Sequence, residues 1–115
     1  MDLNHLPVID WELAIKLAGN KKELAEDILN LLIKTLPDDT IAIKHFSKAQ
    51  NYAELLKRVH KLHGALCYCG LPRLKTVIAH LETQLKNNIM DSLPSLLDQL
   101  DVEISLLLER RLLPN

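Results

Sequence analysis

The chain has 115 residues, 48% of them hydrophobic and 25% charged, with a formal charge of −1. That length fits one domain with a continuous core and leaves too little for two domains of independent stability. The balance of 14 basic and 15 acidic residues lacks the strongly basic footprint of a nucleic-acid binder.

Aromatic residues are confined to Trp11, Phe46, Tyr52 and Tyr68, so Leu, Ile and Val must do the packing. A Leu-rich composition of this kind favours helices. Residues 1–9 read as a linker ending in Pro7-Val8-Ile9. The start, Met1-Asp2-Leu3-Asn4-His5, does not resemble a signal peptide, and no apolar run approaches a membrane-spanning length. The expectation is a cytoplasmic domain without direct membrane contact.

Asp10 is a good N-cap for a short helix from Trp11 to Ala18, which Gly19 stops. Asn20 with Glu23 resembles a capping box opening a second helix, whose apolar positions Leu24, Ile28, Leu31, Leu32 and Leu36 follow helical spacing. Pro37 either ends that helix or kinks it. Because Ile41, Phe46 and Ala49 prolong the amphipathic pattern, one kinked helix to about Ala49 is the favoured reading. Asn51 with Glu54 caps a third helix, from Tyr52 to about Tyr68. Gly70 breaks it, and Pro72 opens a fourth that runs to about Lys86 with Leu74, Val77, Ile78, Leu81 and Leu85 as its stripe. After the Asn87-Asn88 turn, a last helix begins near Asp91 and passes through Leu96, Leu100, Ile104 and Leu107 to about Arg111. Short connections make neighbours antiparallel. The pattern therefore predicts an all-α fold: an antiparallel up-down four-helix bundle over residues 10–113, with a short extra N-terminal helix.

Charge is unevenly placed. Residues 57–75 contain Lys57, Arg58, Lys61, Arg73 and Lys75 and no acid, whereas residues 91–109 contain Asp91, Asp98, Asp101, Glu103 and Glu109 and no base. A basic stretch in a neutral protein suits an acidic partner surface. Cys67 and Cys69 diverge on one helix, so reduced thiols with a packing role are expected rather than a disulfide.

On the third helix, Leu55, Val59, Leu62, Leu66 and Cys69 form the core stripe. At about 100° per residue, His60 points roughly 140° away from its centre and should face solvent. Ala53, Gly64 and Cys67, all small, share that outer face. A helix-interior Gly costs about 0.5–1 kcal/mol relative to Ala, which suggests that Gly64 provides clearance for another protein's surface. Lys57 and Lys61 flank this pad on one side and His63 stands on the other. All three are placed to offset negative charge on His60.

The run Arg58-Val59-His60-Lys61-Leu62-His63-Gly64, followed by Cys69-Gly70-Leu71, resembles the His-x-Leu-Lys-Gly…Leu-Gly signature of histidine-containing phosphotransfer (HPt) domains. From about Ile9 to Arg111, including Ile9-Asp10-Trp11 and Leu36-Pro37, the chain is similar to the C-terminal HPt domain of BarA-type hybrid sensor kinases. His63 departs from the pattern, standing where many HPt domains have Lys.

The resemblance implies a phosphohistidine carrier without kinase activity of its own. His60 would be the phosphoacceptor, with His63, Gly64, Lys57 and Lys61 in support. It implies two kinds of partner, the receiver domains of a hybrid sensor kinase and of a response regulator. Mg2+ would sit on the receiver, and this domain, monomeric in isolation, would hold no cofactor or metal. The setting implied is the cytoplasm, as the C-terminal domain of an inner-membrane sensor kinase. An imidazole suits the task, being nucleophilic when neutral near its unperturbed pKa of about 6.5.

Two rival readings belong to other classes. His60, His63 and Cys67 at i, i+3 and i+7 form a three-ligand pattern for zinc, though without an obvious fourth ligand. A helical adaptor independent of phosphorylation would also use the basic stretch. His5, His45 and His80 belong to no constellation.

Overall fold

A computed structural model describes residues 2–112. Among these residues five helices form, all but the first of them long: α1 (Trp11–Leu17), α2 (Lys22–Lys48), α3 (Tyr52–Leu66), α4 (Pro72–Lys86) and α5 (Leu93–Leu112). No strand occurs among the described residues. At 1.5 Å per residue, the 27 residues of α2 account for the long dimension of the molecule, 40 Å.

In the bundle, α2 packs on α3, α3 on α4 and α4 on α5, while α1 packs on α2. Two polar contacts tie α5 back to α2. Arg111 Nη2 donates to Asn30 Oδ1 at 3.0 Å, and Lys44 Nζ lies 2.9 Å from Asp101 Oδ2. The pairing of 30 with 111 and of 44 with 101 makes these two helices antiparallel, as expected. The core contains Leu29, Leu36, Ile43, Leu55, Val59, Leu62, Ile78, Leu81 and Leu100. Burial of this apolar surface, at about 25 cal/mol per Å2, is the main stabilising term.

Helix ends follow local chemistry. The Asp10 side chain accepts from Leu13 N–H and caps α1, and Asn51 does the same for Glu54 N–H at the start of α3. Pro72 occupies the first turn of α4. Gly70 has φ +66°, and a Cβ there would come within 2.7 Å of both the Ala14 Cβ and the Asp10 carbonyl oxygen. Gly70 O accepts from Asp10 N–H at 2.9 Å, so α1 is stitched to the turn between α3 and α4.

Several expectations are corrected. Residues 2–9 do not behave as a linker. Leu3 is buried in the core, and Leu6, Val8 and Ile9 pack against it, because the segment carries enough apolar surface to cover the bundle. Asn20 does not cap α2. It takes a left-handed conformation, φ +66°, and its N–H bonds back to Ile15 O to finish α1, while Lys21 occupies the N-cap without a side-chain bond. The helix runs unbroken through Pro37, in keeping with the single-helix reading. Leu31 and Ile41 are exposed, since α2 is flanked by only part of the bundle. α3 ends at Leu66, with Cys67 as its C-cap, and α5 starts at Leu93. The expected domain end at 113 lies outside the described residues. No described helix is long and apolar enough to cross a membrane.

Candidate functional site

The α3 stripe is buried as expected, with Leu55, Val59, Leu62 and Leu66 inside and Cys69 just beyond the helix end. His60 therefore projects outward, its side chain 72% exposed. Gly64 lies one turn further along on the exposed surface, and a Cβ placed there would meet nothing within 4 Å. Gly64 therefore stands in open space one turn from His60.

The nearest partner of the ring is an acid that the sequence reading did not include. His60 Nδ1 lies 2.8 Å from Oε2 of Glu82, a residue of α4 that is 6% exposed. His63 Nδ1 lies 3.1 Å from Oε1 of the same carboxylate. His63 thus leaves the open pad and tucks against α4 at 25% side-chain exposure. Lys86 Nζ approaches Glu82 Oε1 at 3.6 Å from the solvent side. Of the predicted flanking lysines, Lys57 is engaged by Glu54 at 3.2 Å, and Lys61 is exposed.

Burial raises the proton affinity of the Glu82 carboxyl. Hydrogen bonds from His63 and His60, with the charge of Lys86, outweigh that effect and hold it below its ordinary value. Glu82 is then a carboxylate, which can only accept, so each Nδ1 must be the protonated nitrogen. In the neutral ring this leaves His60 Nε2 bare, with its lone pair directed away from Glu82. One buried anion therefore fixes both the orientation of an exposed imidazole and the tautomer of its neutral form.

The surrounding charges are also more paired than sequence order suggests. Arg58 Nη2 bonds Asp39 Oδ1 at 3.0 Å, and Arg73 is held by Glu103. Two of the five basic residues of that stretch, Arg58 and Arg73, thus serve links between helices.

The zinc alternative gains no support. Cys67 Sγ donates to His63 O at 3.4 Å, both imidazoles face Glu82, and among the described residues no group of three His, Cys, Asp or Glu side chains could hold a metal ion. Burial, with Cys67 nearby, pushes the Cys69 thiol up to about 11, as befits a packing residue.

Sequence reasoning missed Glu82. A signal was available: Glu82 stands four residues after Ile78 and three before Leu85, an acid on the apolar stripe of α4. Glu103, between Leu100 and Leu107 on α5, carries the same signal.

Comparison with known proteins identifies the family. The family model of the Hpt domain matches residues 22–110. The sensor histidine kinase GacS of Pseudomonas protegens is 40% identical over 96 residues, covering 84% of this chain and 10% of the kinase. The signal transduction histidine-protein kinase BarA of Escherichia coli K12 is 35% identical over 101 residues, 86% of this chain and 11% of that protein. The chain therefore spans about a tenth of these curated relatives. Among solved structures, the HPT domain of a hybrid histidine kinase from Shewanella superposes with a TM-score of 0.77 at 32% identity, over 87% of this chain and 86% of that one. With the bundle, the exposed His60 and these matches in hand, the chain belongs to the Hpt domain family.

Proposed function

We propose that this domain is a phosphorelay intermediate that takes a phosphoryl group onto His60 Nε2 from the phosphoaspartate of one receiver domain and passes it to another. The observation that carries this reading is the exposed His60 ring whose Nδ1 lies 2.8 Å from buried Glu82, which in the neutral ring leaves the Nε2 lone pair free. In the forward step the Nε2 lone pair forms the N–P bond. The P–O bond to the receiver's aspartate breaks, and that carboxylate leaves with the electron pair. The ring becomes a phosphoimidazolium whose positive charge lies against Glu82. Phosphoryl transfer depends mainly on positioning and electrostatics, so a receiver that brings its own Mg2+ can complete the site.

On this reading the partners are the receivers of a hybrid kinase and of a response regulator, met in the cytoplasm by a monomeric domain. Lys57, Lys61 and Gly64 act in docking. The likeness to GacS and BarA supports this assignment.

The test is acid-labile labelling by a phosphorylated receiver. His60→Gln should abolish labelling and leave the helical circular dichroism unchanged, because the ring lies outside the core. Receiver-dependent label that survives the substitution refutes the acceptor assignment.

A further inference from the structure

The geometry points to His63 as a positioning residue that holds the Glu82 carboxylate in the rotation that delivers Oε2 to His60 Nδ1; the inference rests on the acceptor reading above. The last torsion of a Glu side chain is broad, so a carboxylate needs a second fixed point to keep one oxygen aimed at a given donor. His60 cannot supply that point, because its own side chain is 72% exposed and is the group being positioned. Lys86 is a poor anchor as well: its ammonium stands 3.6 Å away on a side chain that is 56% exposed.

His63 has what both lack. It sits one helical turn after His60 on the same helix, its side chain is 25% exposed, and its Nδ1–H meets Oε1 at 3.1 Å. Spacing along α3 sets where the two rings stand, and the buried carboxylate of α4 spans the gap between them. Without the His63 donor, Oε1 keeps only the distant Lys86, the carboxylate is free to turn, and His60 can protonate on either nitrogen.

The experiment reads the tautomer of His60 by 15N NMR of the ring nitrogens at about pH 8, in the whole chain, beside labelling by phosphoramidate. In the unaltered protein, Nδ1 should be protonated and Nε2 bare. His63→Phe should produce a mixture of tautomers and slow labelling by about threefold to tenfold, the loss expected for one hydrogen bond. His63→Asn places an amide N–H at the bond depth of Nδ1 and should restore both readouts. Asn fills the space less well than Phe, so a purely structural role predicts no such rescue. His63→Ala provides the same comparison with His63→Asn if the Phe ring disturbs packing of α3 on α4. An unchanged tautomer without the His63 donor, or an Asn variant no better than Phe or Ala, overturns the inference. Failure of the unaltered protein to label at His60 would defeat the acceptor reading alone, since the tautomer decides the positioning of Glu82 by itself.

Discussion

Arg73 meets Glu103 in a two-pronged bond between α4 and α5: Nε and Nη2 donate to the two carboxylate oxygens at 2.8 and 2.9 Å. Gln99 Nε2 adds a third donor at 2.9 Å, and Glu103 is 1% exposed. This pair fixes the helix that carries Glu82. Removing one member strands a buried charge, so Arg73→Met should cost about 3–5 kcal/mol in chemical denaturation. Replacing both, with Glu103→Leu added, should recover most of that loss. Additive losses in the double variant would contradict the coupling.

Glu82→Gln removes the shared anion but keeps the shape. The amide presents one acceptor oxygen where the carboxylate presents two, and its NH2 meets the second imidazole only when that ring carries its proton on Nε2. Losing a charge-assisted bond of about 1.5–3 kcal/mol should slow labelling of His60 by about tenfold to a hundredfold. The pH dependence has a definite sign. Glu82 titrates below its unfolded value, so its stabilisation is present above about pH 4.3 and disappears as pH falls through the lower folded value. Urea denaturation should therefore separate the two proteins at pH 6 and bring them together in strong acid. A gap of constant size would mean that Glu82 is not held as a carboxylate.

Open space around Gly64 permits two opposed outcomes from one position. Gly64→Ala should stabilise the fold by about 0.5–1 kcal/mol, since nothing lies within 4 Å of the added Cβ. Gly64→Gln should slow transfer from a receiver and leave phosphoramidate labelling unchanged. Equal rates with the receiver would remove the clearance role.

Lys57 and Lys61 should act at long range. Lys57 is already paired with Glu54 on the surface, where such pairs contribute about 0–1 kcal/mol, so stability should hardly change. The double variant Lys57→Glu, Lys61→Glu should slow receiver transfer about tenfold at low ionic strength. That penalty should shrink once the Debye length falls to about 8 Å. A penalty insensitive to salt would place the lysines in the chemistry rather than in encounter.

Periodicity alone exposed His60, because Leu55, Val59, Leu62 and Leu66 leave it no place in the core. The exposure of Gly64 was legible for the same reason, since it shares the outer face. Glu82 was not, because it joins His60 only when α4 folds back on α3, across 22 residues of chain. A helical wheel treats each helix separately and cannot report such a pair. The partner of His63 was hidden for the same reason: an angle beside His60 says nothing of which helix lies there. The burial of Leu3 was obscured by the polar residues around it, which made the segment look like a linker.

The carboxylate beneath His60 also bears on the reversibility of the transfer proposed above. Glu82 is almost closed to solvent, and on that proposal the Nδ1 proton that it holds in the neutral ring stays in place when Nε2 gains phosphorus. The ring thus enters and leaves each exchange in one protonation state, with nothing surrendered to or recovered from bulk water. Net flow is then set by the transfer potentials and the phosphorylation levels of the two receivers, and on that proposal the same site loads from one and unloads to the other.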